Sequence, residues 1–107
     1  MKLIIAVINH DDAHVVTQHI TKAGFRFTKL ATTGGFLMAG NVTVMIGTED
    51  ENVQEVIDII AKYSKSRKQV MPTSAEFGVG IYPAIPVEVT IGGATVFVLP
   101  VDRFEKL

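Results

Sequence analysis

Six consecutive apolar residues, Leu3-Ile4-Ile5-Ala6-Val7-Ile8, dominate the first part of this sequence. They are largely β-branched and show neither the two-residue period of a half-exposed strand nor the spacing of a helix. Such a run fits a strand in the middle of a sheet, buried on both faces. It is too short to cross a membrane. The polar Asn9-His10-Asp11-Asp12 follows at once, with no small-residue cleavage site of the kind that ends a secretory leader. The rest of the fold has to be arranged around this strand.

The segments that follow alternate in type. Asp11 and Asp12 offer a helix N-cap, and Ala13, Val16, Ile20 and Ala23 recur at helical spacing before Gly24, a C′ stop. This predicts a helix over residues 12–23. Phe25 to Leu30 reads as a second strand, with Phe25 and Phe27 on one face and Arg26 and Thr28 on the other. A glycine-rich connection, residues 31–41, leads to a third strand over Val42 to Gly47. Thr48-x-x-Glu51 has the form of a capping box. Val53, Val56, Ile57 and Ile60 then make the apolar stripe of a second helix ending near Ser64. Residues 65–85 read as a long irregular segment. Pro86 to Ile91 and Ala94 to Leu99 read as a hairpin closed by Gly92-Gly93, since paired glycines supply the positive φ angles of a tight turn.

The order βαββαβ, with the last strand extended into a hairpin, predicts a ferredoxin-like α+β sandwich: an antiparallel sheet with two helices on one face. The final strand is apolar on both faces through Val96, Phe97, Val98 and Leu99. Two-sided apolarity in a sheet covered on one side only points to self-association through the open face.

Composition narrows the function. The 107 residues make one domain, residues 1–107, and 48% hydrophobic with 20% charged residues excludes a disordered chain. Ten Lys and Arg against eleven Asp and Glu give a net charge of −1, without the general pull on polyanions of a nucleic-acid binder. The absence of cysteine removes disulfides, thiolate metal sites and a cysteine nucleophile, and suits a cytoplasmic protein. His10, His14 and His19 are expected to be surface histidines rather than a metal site. The basic run Lys62, Lys65, Arg67 and Lys68 reads as a solvated helix end. No nucleophile with its base and no spaced acid pair can be placed, so no catalytic residue, metal or cofactor is expected.

The most pointed local feature is Thr32-Thr33-Gly34-Gly35-Phe36-Leu37. It is neither a Walker A loop nor a GxGxxG turn. It admits two readings. One is a plain connection between strands. The other is a site in which Gly35 lets backbone N–H groups approach an anion and Phe36 offers a stacking surface for a base. Parity adds to the second. Arg26 and Thr28 share a face leading into the connection, and Asn41, Thr43, Met45 and Gly47 share one leading out. A guanidinium, an amide and a hydroxyl near one glycine loop suit a phosphate and a base edge. The same residues also read as solvated or turn positions.

Three strings carry a resemblance: Thr28-Lys29-Leu30-Ala31-Thr32-Thr33-Gly34-Gly35-Phe36-Leu37 with Gly40-Asn41; Gly92-Gly93-Ala94-Thr95-Val96-Phe97-Val98-Leu99-Pro100-Val101 after Val87-Glu88-Val89; and Met1 to Ala6. Together they resemble the PII-like cyclic di-AMP receptors over essentially the whole chain. The resemblance implies a non-catalytic signal-transduction protein: a homotrimer, with cyclic di-AMP in each inter-subunit cleft and a downstream protein partner of unknown identity. By position it implies ligand contacts at Arg26, Thr28, Gly35, Phe36, Leu37, Asn41, Gly47 and Phe97. One adenine would be held by Thr28, Asn41 and Gly47, with Phe36 and Leu37 packing on the dinucleotide and Arg26 near a phosphate. Loops 31–41 and 65–85 would reorder on binding. The sequence departs from the family pattern at Gly24, where Asn is common, at the end Glu105-Lys106-Leu107, where His-Gln-Phe is common, and over Ser74 to Ala84. Lys106 would stand as a phosphate contact. These departures frame the alternative, a trimeric protein-interaction module of the same fold that binds no nucleotide.

Overall fold

The computed structural model describes residues 1–30, 40–72 and 86–107, with backbone alone at 69–72 and 86–91. The apolar run lies in β1 (Lys2–Asn9), and β1 is central. One edge pairs antiparallel with β3 (Asn41–Thr48), from Lys2 opposite Thr48 to Asn9 opposite Asn41. The other edge pairs antiparallel with β6 (Ala94–Pro100), from Lys2 opposite Pro100 to Ile8 opposite Ala94. A short β2 (Thr28–Leu30) adds to β3, giving the strand order β2-β3-β1-β6. The result is an α+β fold with two helices and a four-strand antiparallel sheet.

The core lies between that sheet and the helices. Ile4, Ala6 and Ile8 of β1 and Val44 and Ile46 of β3 meet Ala13, Val16 and Ile20 of α1 (His10–Lys22) and Val56 and Ile60 of α2 (Val53–Tyr63). These side chains are almost wholly buried, at about 1.5–3 kcal/mol for each large aliphatic one. Phe25 and Phe27 pack against the same core but precede β2, so the second strand begins three residues later than predicted.

Two local expectations change and one holds. The cap of α1 is Asn9, whose Oδ1 accepts the Asp11 N–H at 2.9 Å, so Asp11 and Asp12 fall in the first turn, where carboxylates suit the helix dipole. No capping box forms at Thr48 and Glu51. The chain enters α2 through a 3₁₀ turn (Asp50–Asn52), in which the Asn52 N–H donates to the Glu49 carbonyl at 2.9 Å. At the other end of α1, Gly24 does stop the helix. It has φ +94, its N–H donates to Thr21, and the Phe25 N–H donates to Ile20, the paired bonds of a Schellman ending.

The largest correction concerns the C-terminal third. Part of the segment read as irregular is a strand, β4 (Arg67–Pro72), and it pairs with β5 (Pro86–Ile91) in a separate two-strand sheet. The extra hairpin between residues 86–91 and 94–99 is therefore absent. Gly92 and Gly93 do have φ of +81 and +80, but they carry the chain from one sheet to the other. β6 pairs through one edge with the central apolar β1, and β5 pairs with β4 instead of with the outer edge of β6. No helix among the described residues is long and apolar enough to cross a membrane.

Candidate ligand-binding face

The sheet face turned away from the helices carries the alternate set of residues. Register fixes its rows. Thr28 lies opposite Met45, Met45 opposite Ile5, and Ile5 opposite Phe97. This row crosses all four strands, a span of about 14 Å at ordinary strand spacing. Gly47, Leu3 and Leu99 form the next row, and Leu30, Thr43, Val7 and Thr95 the row on the other side. Thr28, Gly47, Phe97 and Leu99 are exposed, with Phe97 at 48%. Leu3, Ile5 and Met45 are half-buried, while Val7 and Thr43 are buried.

Five of the eight residues singled out by resemblance lie among the described residues. Thr28, Gly47 and Phe97 stand on this face. Arg26 is exposed two residues ahead of Thr28 and enters from the Gly47 end, before the ladder rather than within it. Asn41 is the first residue of β3, half-buried opposite Asn9. Six residues separate it from Gly47 along one extended strand, about 20 Å. Within one protomer the structure therefore does not bring Thr28, Asn41 and Gly47 to a single adenine. Gly35, Phe36 and Leu37 lie outside the described residues, as does most of loop 31–41 and residues 73–85 of loop 65–85.

Two features of this face bear on recognition. At Gly47 the backbone is outside the left-handed region, and an added Cβ would meet no atom within 4 Å. Among the described residues nothing makes use of that glycine. Thr43 is 1% exposed, and its Oγ1 has no hydrogen-bond partner among the described residues.

Elsewhere the histidines do not gather. His10 and His14 are exposed, and His19 stacks on Tyr63 with ring centroids 3.8 Å apart, while Lys62 lies 5.4 Å from the Tyr63 ring centre. Among the described residues no group of three His, Cys, Asp or Glu is placed to hold a metal. Grooves on the helical side, between α2 and β6, between α1 and α2, and between α1 and β2, are lined by none of the residues singled out. An ion pair between distant residues went unread in the sequence. Arg67, taken as part of a solvated helix end, binds Asp12 through two hydrogen bonds. That contact, chiefly through its hydrogen bond, holds the Arg67 guanidinium above its ordinary pKa. Fifty-five residues separate the partners, and no local pattern announces them.

This architecture is similar to the crystal structure of a functionally unknown protein from Pediococcus pentosaceus ATCC 25745. The two are 44% identical, the match covers 99% of this chain and 96% of that one, and the TM-score is 0.75. The family model of the cyclic-di-AMP receptor matches residues 1–107. The whole chain, including the sheet face just described, thus belongs to the cyclic-di-AMP receptor family.

Proposed function

We propose that this protein is a non-catalytic receptor for cyclic di-AMP that works as a homotrimer, with the dinucleotide held between protomers. The observation that carries the reading is the spread of Thr28, Gly47, Phe97 and Asn41 over one sheet face, with Arg26 exposed two residues ahead of Thr28. Arg26, Thr28, Gly47 and Phe97 are exposed, and Asn41, half-buried, stands a strand's length from Gly47. They can close on a ligand only when another copy covers the face or when the two ends of a dinucleotide use different residues. A cyclic dinucleotide has two bases and two phosphates, so it can use a guanidinium and an amide at separate ends. The exposed Phe97 and Leu99 supply the apolar surface that a neighbouring copy would bury. Gly35, Phe36 and Leu37 complete the contact set, and Lys106 stands for the missing terminal amide. Signalling follows from reordering of loops 31–41 and 65–85 toward a downstream protein, which requires that the ligand bind one loop state more tightly than the other.

The test is isothermal titration of the protein with cyclic di-AMP, with cyclic di-GMP and ATP as controls, alongside sedimentation. Saturation by cyclic di-AMP alone at one ligand per protomer in a trimer is expected. Arg26→Ala and Asn41→Ala should each weaken it, and unchanged affinity in both would refute the assignment of the face. The alternative is a trimeric interaction module that binds no nucleotide. It is favoured by Gly24, which keeps the left-handed backbone of the helix stop but offers no side-chain amide. Trimers that show no heat with any of the three nucleotides would establish it.

A further inference from the structure

One ion pair joins α1 to the root of the β4–β5 ribbon. Arg67, the first residue of β4, donates from Nη2 to Asp12 Oδ1 at 3.1 Å and from Nη1 to Asp12 Oδ2 at 3.2 Å. The Asp12 side chain is 10% exposed and that of Arg67 45%. A buried carboxylate without a partner is costly, and the forked guanidinium matches it in charge and in shape. The Arg67 Nη1 also donates to the Lys65 carbonyl at 3.4 Å.

The returning strand closes over the same pair. Arg67 lies opposite Ile91 in the ladder, and Gly92 follows with φ +81. A Cβ on Gly92 would stand 2.6 Å from the Lys65 oxygen, 2.7 Å from Arg67 Nη1 and 3.2 Å from Asp12 Oδ2. Both roots of the ribbon therefore meet at the first turn of α1. Beyond its roots the ribbon is a two-strand sheet separate from the main one. Two strands alone are marginal in water, so the contact at the root bears on how well the ribbon holds.

The same turn of α1 touches the return of the glycine-rich connection. The His10 N–H donates to the Gly40 carbonyl at 2.7 Å, and Asn9, which caps the helix, lies opposite Asn41. Only Asn9 to Asp12, four residues of continuous cap and helix, separate Asn41 from the carboxylate that grips Arg67.

We infer that this first turn couples the two regions: a ligand that shifts Gly40 and Asn41 shifts the cap and first turn of α1, and the Asp12–Arg67 pair passes the shift to the β4–β5 ribbon. Asp12 and Arg67 are positioning residues and touch no ligand. The inference rests on the proposed reading of Asn41 as a ligand contact, and it names the route by which that contact reaches the second loop.

Amide hydrogen exchange on the whole protein tests it, with and without cyclic di-AMP, in the wild type, Arg67→Gln, Asp12→Asn and the double variant. Without ligand, each single change should speed exchange of the 68–71 and 87–91 amides by about tenfold, and the double change should add little, since the pair acts as one unit. With ligand, the wild-type ribbon amides should change their rate. Arg67→Gln should keep its affinity within about threefold, keep the slowing at Asn41 and lose the ribbon response. Asp12→Asn removes the buried charge and leaves Arg67 nearly half exposed, so this variant should fold even where Arg67→Gln does not, and the same two readings apply to it. Ribbon exchange that ignores Arg67→Gln in the free protein overturns the clamp. A ribbon response that survives in Arg67→Gln overturns the coupling. A wild type that binds no cyclic di-AMP overturns the ligand reading and the coupling with it, while the ligand-free comparison still decides the clamp.

Discussion

Replacing Gly47 by alanine separates what the protomer needs from what its ligand needs. Glycine inside a strand costs about 0.5–1 kcal/mol relative to alanine, because the unfolded chain has more freedom to lose. At Gly47 the described residues gain nothing in exchange: φ is not in the left-handed region, and a Cβ would meet none of their atoms within 4 Å. Gly47→Ala is therefore expected to stabilise the free protein by about 0.5–1 kcal/mol. For a domain of this size that raises the melting temperature by about 2–6 °C. Glycine in such a place often marks the close approach of a ligand or another backbone. If cyclic di-AMP approaches here, the new methyl overpacks the contact at about 1–3 kcal/mol. Affinity would then fall about 5- to 150-fold.

The assay is a thermal melt paired with isothermal titration, both at one fixed protein concentration, because assembly makes the melting temperature depend on concentration. A higher melting temperature with weaker binding is the expected pair of results. A higher melting temperature with unchanged affinity would refute the assignment of Gly47 to the ligand. A lower melting temperature accompanied by loss of trimers in sedimentation would move the close approach from the ligand to a neighbouring protomer. A lower melting temperature with intact assembly would refute the reasoning from open space.

Three further outcomes can be checked. Thr43→Val replaces an unpartnered buried hydroxyl by a methyl of the same shape, and should stabilise the free protein by about 1 kcal/mol in urea unfolding; a loss of that size would show that the hydroxyl has a partner. Gly24→Ala should cost about 1–2 kcal/mol for its left-handed backbone alone, and Gly92→Ala about 1–3 kcal/mol more for the clash with the Lys65 carbonyl; equal losses would refute the close packing at the ribbon root. Phe97→Asp places a charge on the exposed apolar row, and should give monomers that keep their circular dichroism; trimers of undiminished stability would refute burial of that face between copies.

The fold was readable where residues decide structure locally. The Leu3–Ile8 run announces a strand with neighbours on both edges, and β1 has them. Gly24 announces a helix stop, because few residues accept its backbone. Reading failed where pairing partners compete. Gly92-Gly93 has the dihedral freedom of a hairpin turn, yet β6 leaves β5 to pair with β1, and β5 takes β4. Local turn chemistry states only that the chain can reverse. Which strand it then joins is set by pairing between distant segments, and here β6 takes an edge of β1. The capping box failed for a related reason, since a 3₁₀ turn satisfies the Asn52 amide from the Glu49 carbonyl without either side chain.

The candidate site divides along the same line. Parity put Met45 and Gly47 on one face of the third strand, because the two-residue period is a property of each strand alone, and the register then sets Thr28 opposite Met45. Parity says nothing about distance along the strand. Asn41 and Gly47 share a face as surely as neighbours do, yet they stand at opposite ends of β3. A residue set that looks convergent from alternation alone can thus be spread over a strand's full length. In a monomeric enzyme that spread would argue against a site. In a receptor for a two-headed ligand it argues for a site built by more than one chain, since residues too far apart within a copy can be brought together between copies. The apolar row Met45, Ile5 and Phe97, lying between the two polar ends, is the surface such a contact would bury.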